Sequence, residues 1–332
     1  MRPQNLSTID WLRYNLYFVA EHFMGVQNAK RILAPHKFKL YTRYREKLDN
    51  CPRGGVVSTP TVNLNANTQP LPSLDFLLKN PVYFPGKSLS WGCTQKWSKD
   101  FFFENYPRTV IPLVNKIPGI RDDKGKYPKI TFSEYQEALN RGESLYLSFS
   151  RVLDHNTELL KDLDVDWLRQ FKHGLSNGEQ TFFFMGESGS KTDLHNGFTH
   201  TLFIQVKGRK KWTVFAPEER FFIDPVAGRH THFYSHANPN DLNATEYPLL
   251  RHAKRYEVIL NPGDVLWIPS LYWHYVENLD ESIGVAFKFV NVPQAFRISK
   301  VLTSLIFLAT KPNLLTSFLY NKFTKEDYVF HN

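Results

Sequence analysis

Cysteine is scarce in this chain: Cys51 and Cys93 are the two among 332 residues, too few for a disulfide framework. The first 30 residues lack a charged segment followed by an uninterrupted apolar run, so no secretory leader is read there. Long apolar runs are missing too. Val301 to Thr310 stops at Lys311-Pro312 and is too short to span a bilayer. Internal repeats are also absent. These absences favour a globular protein in reducing conditions, and a cytoplasmic setting is expected.

What is present suits a large, well-buried core. The chain is 42% hydrophobic and 15% aromatic, enough for one substantial domain with helical additions. The net charge of +9 is unevenly placed. Residues 1–54 carry 10 Lys and Arg against 4 Asp and Glu, residues 295–332 carry 5 against 2, and the middle is balanced. The basic flanks could steer an acidic partner such as a carrier protein, a nucleotide or an anionic surface, although solvated helix faces are the commoner cause of such charge.

One further absence concerns chemistry. Non-haem Fe(II) sites take two histidines and one carboxylate, leaving open positions for co-substrate and O₂. His195-Asn196-Gly197 places a glycine where a His-x-Asp motif would carry its carboxylate, and His274 lies 79 residues downstream. Between them run Thr201 to Lys207, then Gly208-Arg209-Lys210, then Trp212 to Phe215, which reads as a hairpin turned by glycine. Asn261-Pro262-Gly263-Asp264 is a turn before the apolar strand Val265 to Ile268, and residues 283 to 290 form another strand. Histidines so far apart in sequence meet only through strand pairing, as in a small β-barrel with ligands at its mouth. His200, His230, His232 and His236 lack such context. The His-x-His spacing at 230 and 232 suits zinc in principle, but a solvated or substrate-facing loop is the simpler reading.

The Thr192-to-Gly197 run, the Lys207-Gly208-Arg209-Lys210 turn and the Pro262-Gly263-Asp264 to Trp273-His274 run together resemble the JmjC-like, cupin-8 branch of the Fe(II)/2-oxoglutarate oxygenases, over roughly residues 70 to 290. The resemblance implies a mainly β fold with helical additions, a double-stranded β-helix or jelly roll. It also implies iron ligation by His195 and His274. Lys210 is expected to pair with the distal carboxylate of 2-oxoglutarate, with Thr192, Tyr146 and Thr201 as further co-substrate contacts. Phe198, Trp273, Tyr275 and Phe287 are expected to shape a substrate pocket, though core packing explains them equally well.

Gly197 departs from the family pattern. In radical halogenases of the wider 2-oxoglutarate family, glycine or alanine here leaves room for chloride on the iron, and loss of an anionic ligand favours a small anion in its place. The expected activity is therefore radical halogenation of an unactivated C–H bond using Fe(II), 2-oxoglutarate, O₂ and chloride. The alternatives are a hydroxylase, with Asp193 or water completing the metal shell, and a non-catalytic cupin-like binding module. The substrate class expected is a small molecule or peptide, acidic or carrier-tethered.

Four segments are expected. Residues 1–50 form a basic helical extension in which Ile9, Leu12, Leu16, Val19 and Phe23 make an apolar stripe, best read as core-facing, with a membrane or partner helix as the alternative. Residues 51–73, rich in Pro, Gly, Asn and Thr, form an extended connection. Residues 74–292 form the oxygenase domain, and 293–332 form C-terminal helices. There Ile298, Leu302, Leu305, Ile306, Leu314, Leu315, Phe318 and Leu319 suggest a homodimer contact.

Overall fold

The computed structural model describes residues 2–3, 6–24, 28, 31–48, 54–63, 70–112, 129–226 and 232–309. Its thirteen named strands are β1 (Val56–Val57), β2 (Val82–Phe84), β3 (Val110–Pro112), β4 (Lys129–Thr131), β5 (Tyr146–Ser150), β6 (Asn177–Gly186), β7 (Lys191–His195), β8 (His200–Lys207), β9 (Lys210–Phe215), β10 (Arg255–Leu260), β11 (Val265–Ile268), β12 (Trp273–Asn278) and β13 (Ser282–Val290). Five form one sheet in the order β1-β10-β9-β12-β7, and six form a second in the order β2-β11-β8-β13-β6-β5. Apart from the short parallel β1–β10 pair, the pairing within these sheets is antiparallel. Two antiparallel sheets facing each other make the jelly roll expected from the sequence.

Strand alternation divides the buried side chains into three sets. Tyr146, Phe182, Phe184, Phe203, Trp212, Val214, Leu266, Val276 and Ala286 fill the barrel interior. Leu202, Ile204, Val206, Val285, Phe287 and Phe289 point out of the six-stranded sheet toward Phe102, Phe103, Phe132 and Trp167 of the flanking helices. Phe215, Trp273 and Tyr275 point out of the five-stranded sheet toward the N- and C-terminal helices.

The link through Gly208 is not a hairpin. β8 and β9 lie in different sheets, so Lys207-Gly208-Arg209-Lys210 turns a corner of the barrel. Gly208 has φ +67°, and a Cβ there would lie 1.8 Å from the Glu281 carbonyl oxygen. The β12-to-β13 corner runs beside it, held by Leu279 N–H on the Arg209 carbonyl and by the Arg209–Asp280 ion pair. Asp264, in the other turn read from the sequence, is buried as a carboxylate that accepts from Tyr83 Oη, Gly86 N and Asn261 N.

The N-terminal helices α1 (Thr8–Met24) and α2 (Ala34–Leu48) dock on the outer face of the five-stranded sheet. The apolar stripe read from the sequence faces the other way: Ile9, Leu12, Leu16 and Phe23 are exposed, whereas Asp10, Tyr14, Phe18, Glu21 and His22 are buried. The reason is aromatic. Tyr14, Tyr41 and Tyr44 each meet Phe221 edge-on at 5.2 to 5.4 Å, and the polar groups of this face have partners. Asp10 accepts from Ser7 and Tyr44, and Lys37 bridges Glu21 and Asp224. The connection is more than a linker, since β1 extends the five-stranded sheet and Val62 N–H donates to Tyr83 O.

Helices Val292–Ile298 and Lys300–Ala309 close the chain's described part. Leu302, Leu305 and Ile306 are buried in the same core as Tyr14 and Phe18, so these three are used within the chain and are not available as a dimer contact. Leu314, Leu315, Phe318 and Leu319 lie outside the described residues, as do Cys51 and His230. Among the described residues no helix is long and apolar enough to cross a membrane.

Candidate active site

The β7–β12 ladder places His195 directly opposite His274, with ring centroids 4.2 Å apart at 58°. Alternation alone would not do this. Thr192 pairs with Val276, so three residues on β7 span two on β12, and the bulge lets Thr192 and His195 share the interior face. The same bulge turns Asp193 out to solvent, so the substitute carboxylate considered from the sequence does not face the histidines. Among the described residues no cluster of three or more His, Cys, Asp or Glu is arranged to hold a metal.

Each histidine is fixed by its own strand. His195 Nδ1 lies 2.7 Å from the Asp193 carbonyl, and His274 Nδ1 lies 3.1 Å from the Tyr272 carbonyl. A carbonyl only accepts, so both Nδ1 atoms carry hydrogen and both Nε2 atoms keep a lone pair, the tautomer a metal ligand needs. Burial lowers both pKa values, His195 well below the ordinary range and His274 to about 4, with the facing imidazole adding to the shift of His195 and Lys288 adding to both. Two neutral, pre-oriented imidazoles fit a borderline divalent metal such as Fe(II).

Gly197 is held by backbone, its carbonyl accepting from Leu271 N at 2.7 Å. Its φ is not positive, and among the described residues an added Cβ would meet only Thr199 Oγ1, at 3.7 Å. Unlike Gly208, it is not required by the chain path. Asn196 beside it is structural: its side chain accepts from Phe233 N and donates to the Leu271 carbonyl.

Deeper in the barrel, Lys210 is 1% exposed, with its ammonium 4.7 Å from the Phe203 ring centre and 5.6 Å from that of Phe184. Arg209 and Lys211, as alternation requires, face outward and pair with Asp280 and Glu257. Tyr146 Oη and Thr192 Oγ1 are 3.1 Å apart on the interior surface. Trp212, two residues from Lys210 on the same face, lies with its ring tilted 5.7 Å from His274, and among the described residues its buried indole N–H has no partner. A buried cation, two hydroxyls and an unmatched N–H donor fit an anionic, carbonyl-bearing co-substrate such as 2-oxoglutarate.

Of the residues expected to shape a substrate pocket, Trp273 and Tyr275 point to the opposite face of β12 from His274, and Phe287 points outward from β13. The expectation is corrected for all three, which have the neighbouring parity on their strands. Phe198 packs edge-on against Phe307 of the last helix. The wall is made instead by residues the sequence did not single out. Phe149, in the left-handed region at φ 54°, sits 6.2 Å from His195 and against Phe182 and Phe184. Lys288 lies opposite Thr201 in the β8–β13 ladder, on the interior face with Ala286. The excursion after β9 returns as residues 233–235 along the free edge of β7, with Ser235 N–H on the Leu194 carbonyl, and His232 lies close enough to disfavour protonation of His195.

Comparison with known proteins bears on the fold. A family model described as a cupin-like domain matches residues 76–294. HSPB1-associated protein 1 of Homo sapiens is 31% identical over 152 residues, 45% of this chain and 30% of that protein. The 2-oxoglutarate and iron-dependent oxygenase JMJD4 of Mus musculus is 28% identical over 293 residues, covering 75% of this chain and 65% of that protein. Lysine-specific demethylase 8 of Xenopus tropicalis is 24% identical over 212 residues, 63% and 48% of the two chains. The matches thus span about a third of the HSPB1-associated protein and about half to two thirds of the other two.

Proposed function

This chain belongs to the cupin-like domain family, and from that premise we propose that it is an iron- and 2-oxoglutarate-dependent oxidoreductase of the JmjC type, acting on a protein or peptide. The observation that carries the reading is the facing pair His195 and His274, each with Nδ1 committed to a backbone carbonyl. The names of two relatives, an iron- and 2-oxoglutarate-dependent oxygenase and a lysine-specific demethylase, support the reaction class and a polypeptide substrate.

Iron(II), 2-oxoglutarate and O₂ together supply an oxidant able to remove hydrogen from an unactivated C–H bond. The chain's own contribution is positional. His195 and His274 would hold the metal at the barrel mouth, Lys210 would fix the distal carboxylate, and Thr192, Tyr146 and Trp212 would line the path between them. Phe182 and Phe184, both buried, exclude water from that wall, which strengthens each charge-assisted contact within it.

Halogenation is the second reading, and a specific observation favours it. Gly197 is not at positive φ, and among the described residues a Cβ there would make only an ordinary contact, with Thr199 Oγ1 at 3.7 Å, so its lack of a side chain is compatible with an exogenous ligand such as chloride at the metal. The test is succinate formation with Fe(II), followed by mass spectrometry of candidate peptides with and without chloride, beside His195→Ala. Succinate from the native chain alone supports the oxidoreductase. Chlorinated product selects the halogenase, and hydroxylation or demethylation regardless of chloride selects the oxygenase. No metal uptake and no succinate would leave a binding module.

A further inference from the structure

The outward face of α1 is a part of the fold that neither the barrel core nor its mouth uses. α1 packs on the five-stranded sheet through Tyr14 and Phe18, while Ile9, Leu12 and Leu16 stay 63%, 63% and 67% exposed. At 3.6 residues per turn these three fall within about 60° of arc, on the side opposite Tyr14 and Phe18. Buried rings fix that orientation. Rolling the helix to hide the ridge would withdraw Tyr14 from Phe221 and Phe18 from Phe233.

Charge on the N-terminal helices is sorted by side. Asp10 and Glu21, the acidic residues of α1, are buried, whereas Arg13 is exposed. Among the described residues from 2 to 48, the exposed charged side chains are seven basic against one acidic, Glu46. Three of the cations flank the ridge near its N-terminal end. Arg2 donates to Thr8 Oγ1 at 2.6 Å, and Arg13 and Arg43 both reach Asp10, the neighbour of Ile9. Asp10 offsets one of the three, so the ridge keeps a positive border.

An aliphatic ridge with cations beside it selects among occupants. A second copy would bring the same cations face to face. Residues 310–332 of the chain supply no net negative charge, with Lys311, Lys322 and Lys325 against Glu326 and Asp327. A stable protein partner takes about 800 Å² per side, and Ile9 to Leu16 rise only about 10 Å along one helix. A bilayer interface asks for less: a few apolar side chains inserted beside basic ones, with anionic headgroups as the counter-charge.

We propose that α1 lies flat against an anionic membrane surface, with Ile9, Leu12 and Leu16 inserted where headgroups meet acyl chains and Arg2, Arg13 and Arg43 against the headgroup anions. The contact is peripheral, since no described helix is long and apolar enough to span a bilayer. It is independent of the metal reading above.

The experiment is co-sedimentation of the full chain with vesicles of phosphatidylcholine alone and of phosphatidylcholine mixed with phosphatidylserine, at low and high salt. The native chain should bind the phosphatidylserine vesicles more tightly, and salt should weaken that binding by screening. The double variant Leu12→Gln, Leu16→Gln should bind at least about tenfold more weakly, through lost apolar insertion. Arg13→Gln should bind about fivefold more weakly, the contribution of one basic residue at an anionic surface. Thermal unfolding of these variants should match the native chain, because the substituted side chains are exposed. No binding by the native chain, equal binding to both vesicle types, or undiminished binding by the double variant overturns the proposal. A dimer in light scattering that the double variant abolishes would assign the ridge to a second copy instead.

Discussion

His195 stands opposite His274, although Thr192, three residues earlier, stands opposite Val276, two residues later. The extra residue on β7 lets the Thr192 hydroxyl and the His195 imidazole look into the same barrel while Asp193 looks out. Without it, alternation would put His195 on the face that Thr192 does not use.

The consequence for Gly197 is direct. Gly197→Asp introduces a carboxylate two residues after His195 at a position with ordinary φ and room for a Cβ. Metal affinity should rise by at least about tenfold, since even groups that only orient a ligand are worth that much. Thermal stability of the metal-free protein should change little. Calorimetric titration with Fe(II) under nitrogen measures the first quantity, and unchanged affinity would mean that position 197 does not adjoin the metal.

Lys210 gives a separate test of the proposed co-substrate contacts. Its ammonium is buried on the interior face with Trp212, beside Phe203 and Phe184. Lys210→Met keeps the stem and removes the charge. The dissociation constant for 2-oxoglutarate should rise about ten- to hundred-fold, from the loss of a charge-assisted hydrogen bond, while metal uptake stays unchanged. Equal weakening of both would point to collapse of the site rather than a missing contact.

Much of this was legible in the sequence, and the failures share a cause. The spacing of β-branched and aromatic runs gave the strands, and context picked His195 and His274 from 12 histidines. Parity within each strand was harder. Trp273, Tyr275 and Phe287 neighbour site residues in sequence but occupy the opposite face, and the bulge that sets Asp193 aside has no mark in a single sequence. The Gly208 segment reads as a hairpin because glycine is equally suited to a corner between sheets. In α1 the apolar stripe was real, yet the buried face was chosen by Tyr14 against Phe221 and by Phe18 against Phe233, rings about 200 positions away. Lys288 had only its isolation among Phe287 and Phe289 to signal it.

The docking of the N-terminal helices predicts a large stability effect at one ring. Phe221 is fully buried and meets Tyr14, Tyr41 and Tyr44 edge-on. Phe221→Ala should cost about 3 to 5 kcal/mol, the range for removing a buried aromatic ring. Denaturant unfolding measures it. A loss below about 1 kcal/mol would mean that α1 and α2 contribute little to the folded barrel.

Stability should peak near pH 6.5, and the sign follows from three buried groups. Burial lowers the pKa of His22 to about 4 and of His200 to about 3. Below pH 6.5 the unfolded chain takes up protons that these folded histidines refuse, so stability falls as pH drops from 6.5 toward 4, by about 1.4 kcal/mol per pH unit per group. Glu219 acts in the opposite sense: burial raises its pKa to about 8, against the Lys254 backbone N–H that lowers it. From pH 4.5 to 8 the unfolded carboxyl has released a proton that the folded one retains, so stability falls as pH rises through that window. Between 4.5 and 6.5 these two histidines, joined in the metal-free chain by His195 and His274 in the same sense, outweigh the one carboxyl, and above 6.5 the carboxyl sets the slope. Glu219→Gln keeps an acceptor for Lys254 and removes the titration. Urea midpoints at pH 5, 6.5 and 8 should show a maximum at 6.5 for the native chain and no decline from 6.5 to 8 for the variant. The same alkaline decline in both proteins would assign it to another group.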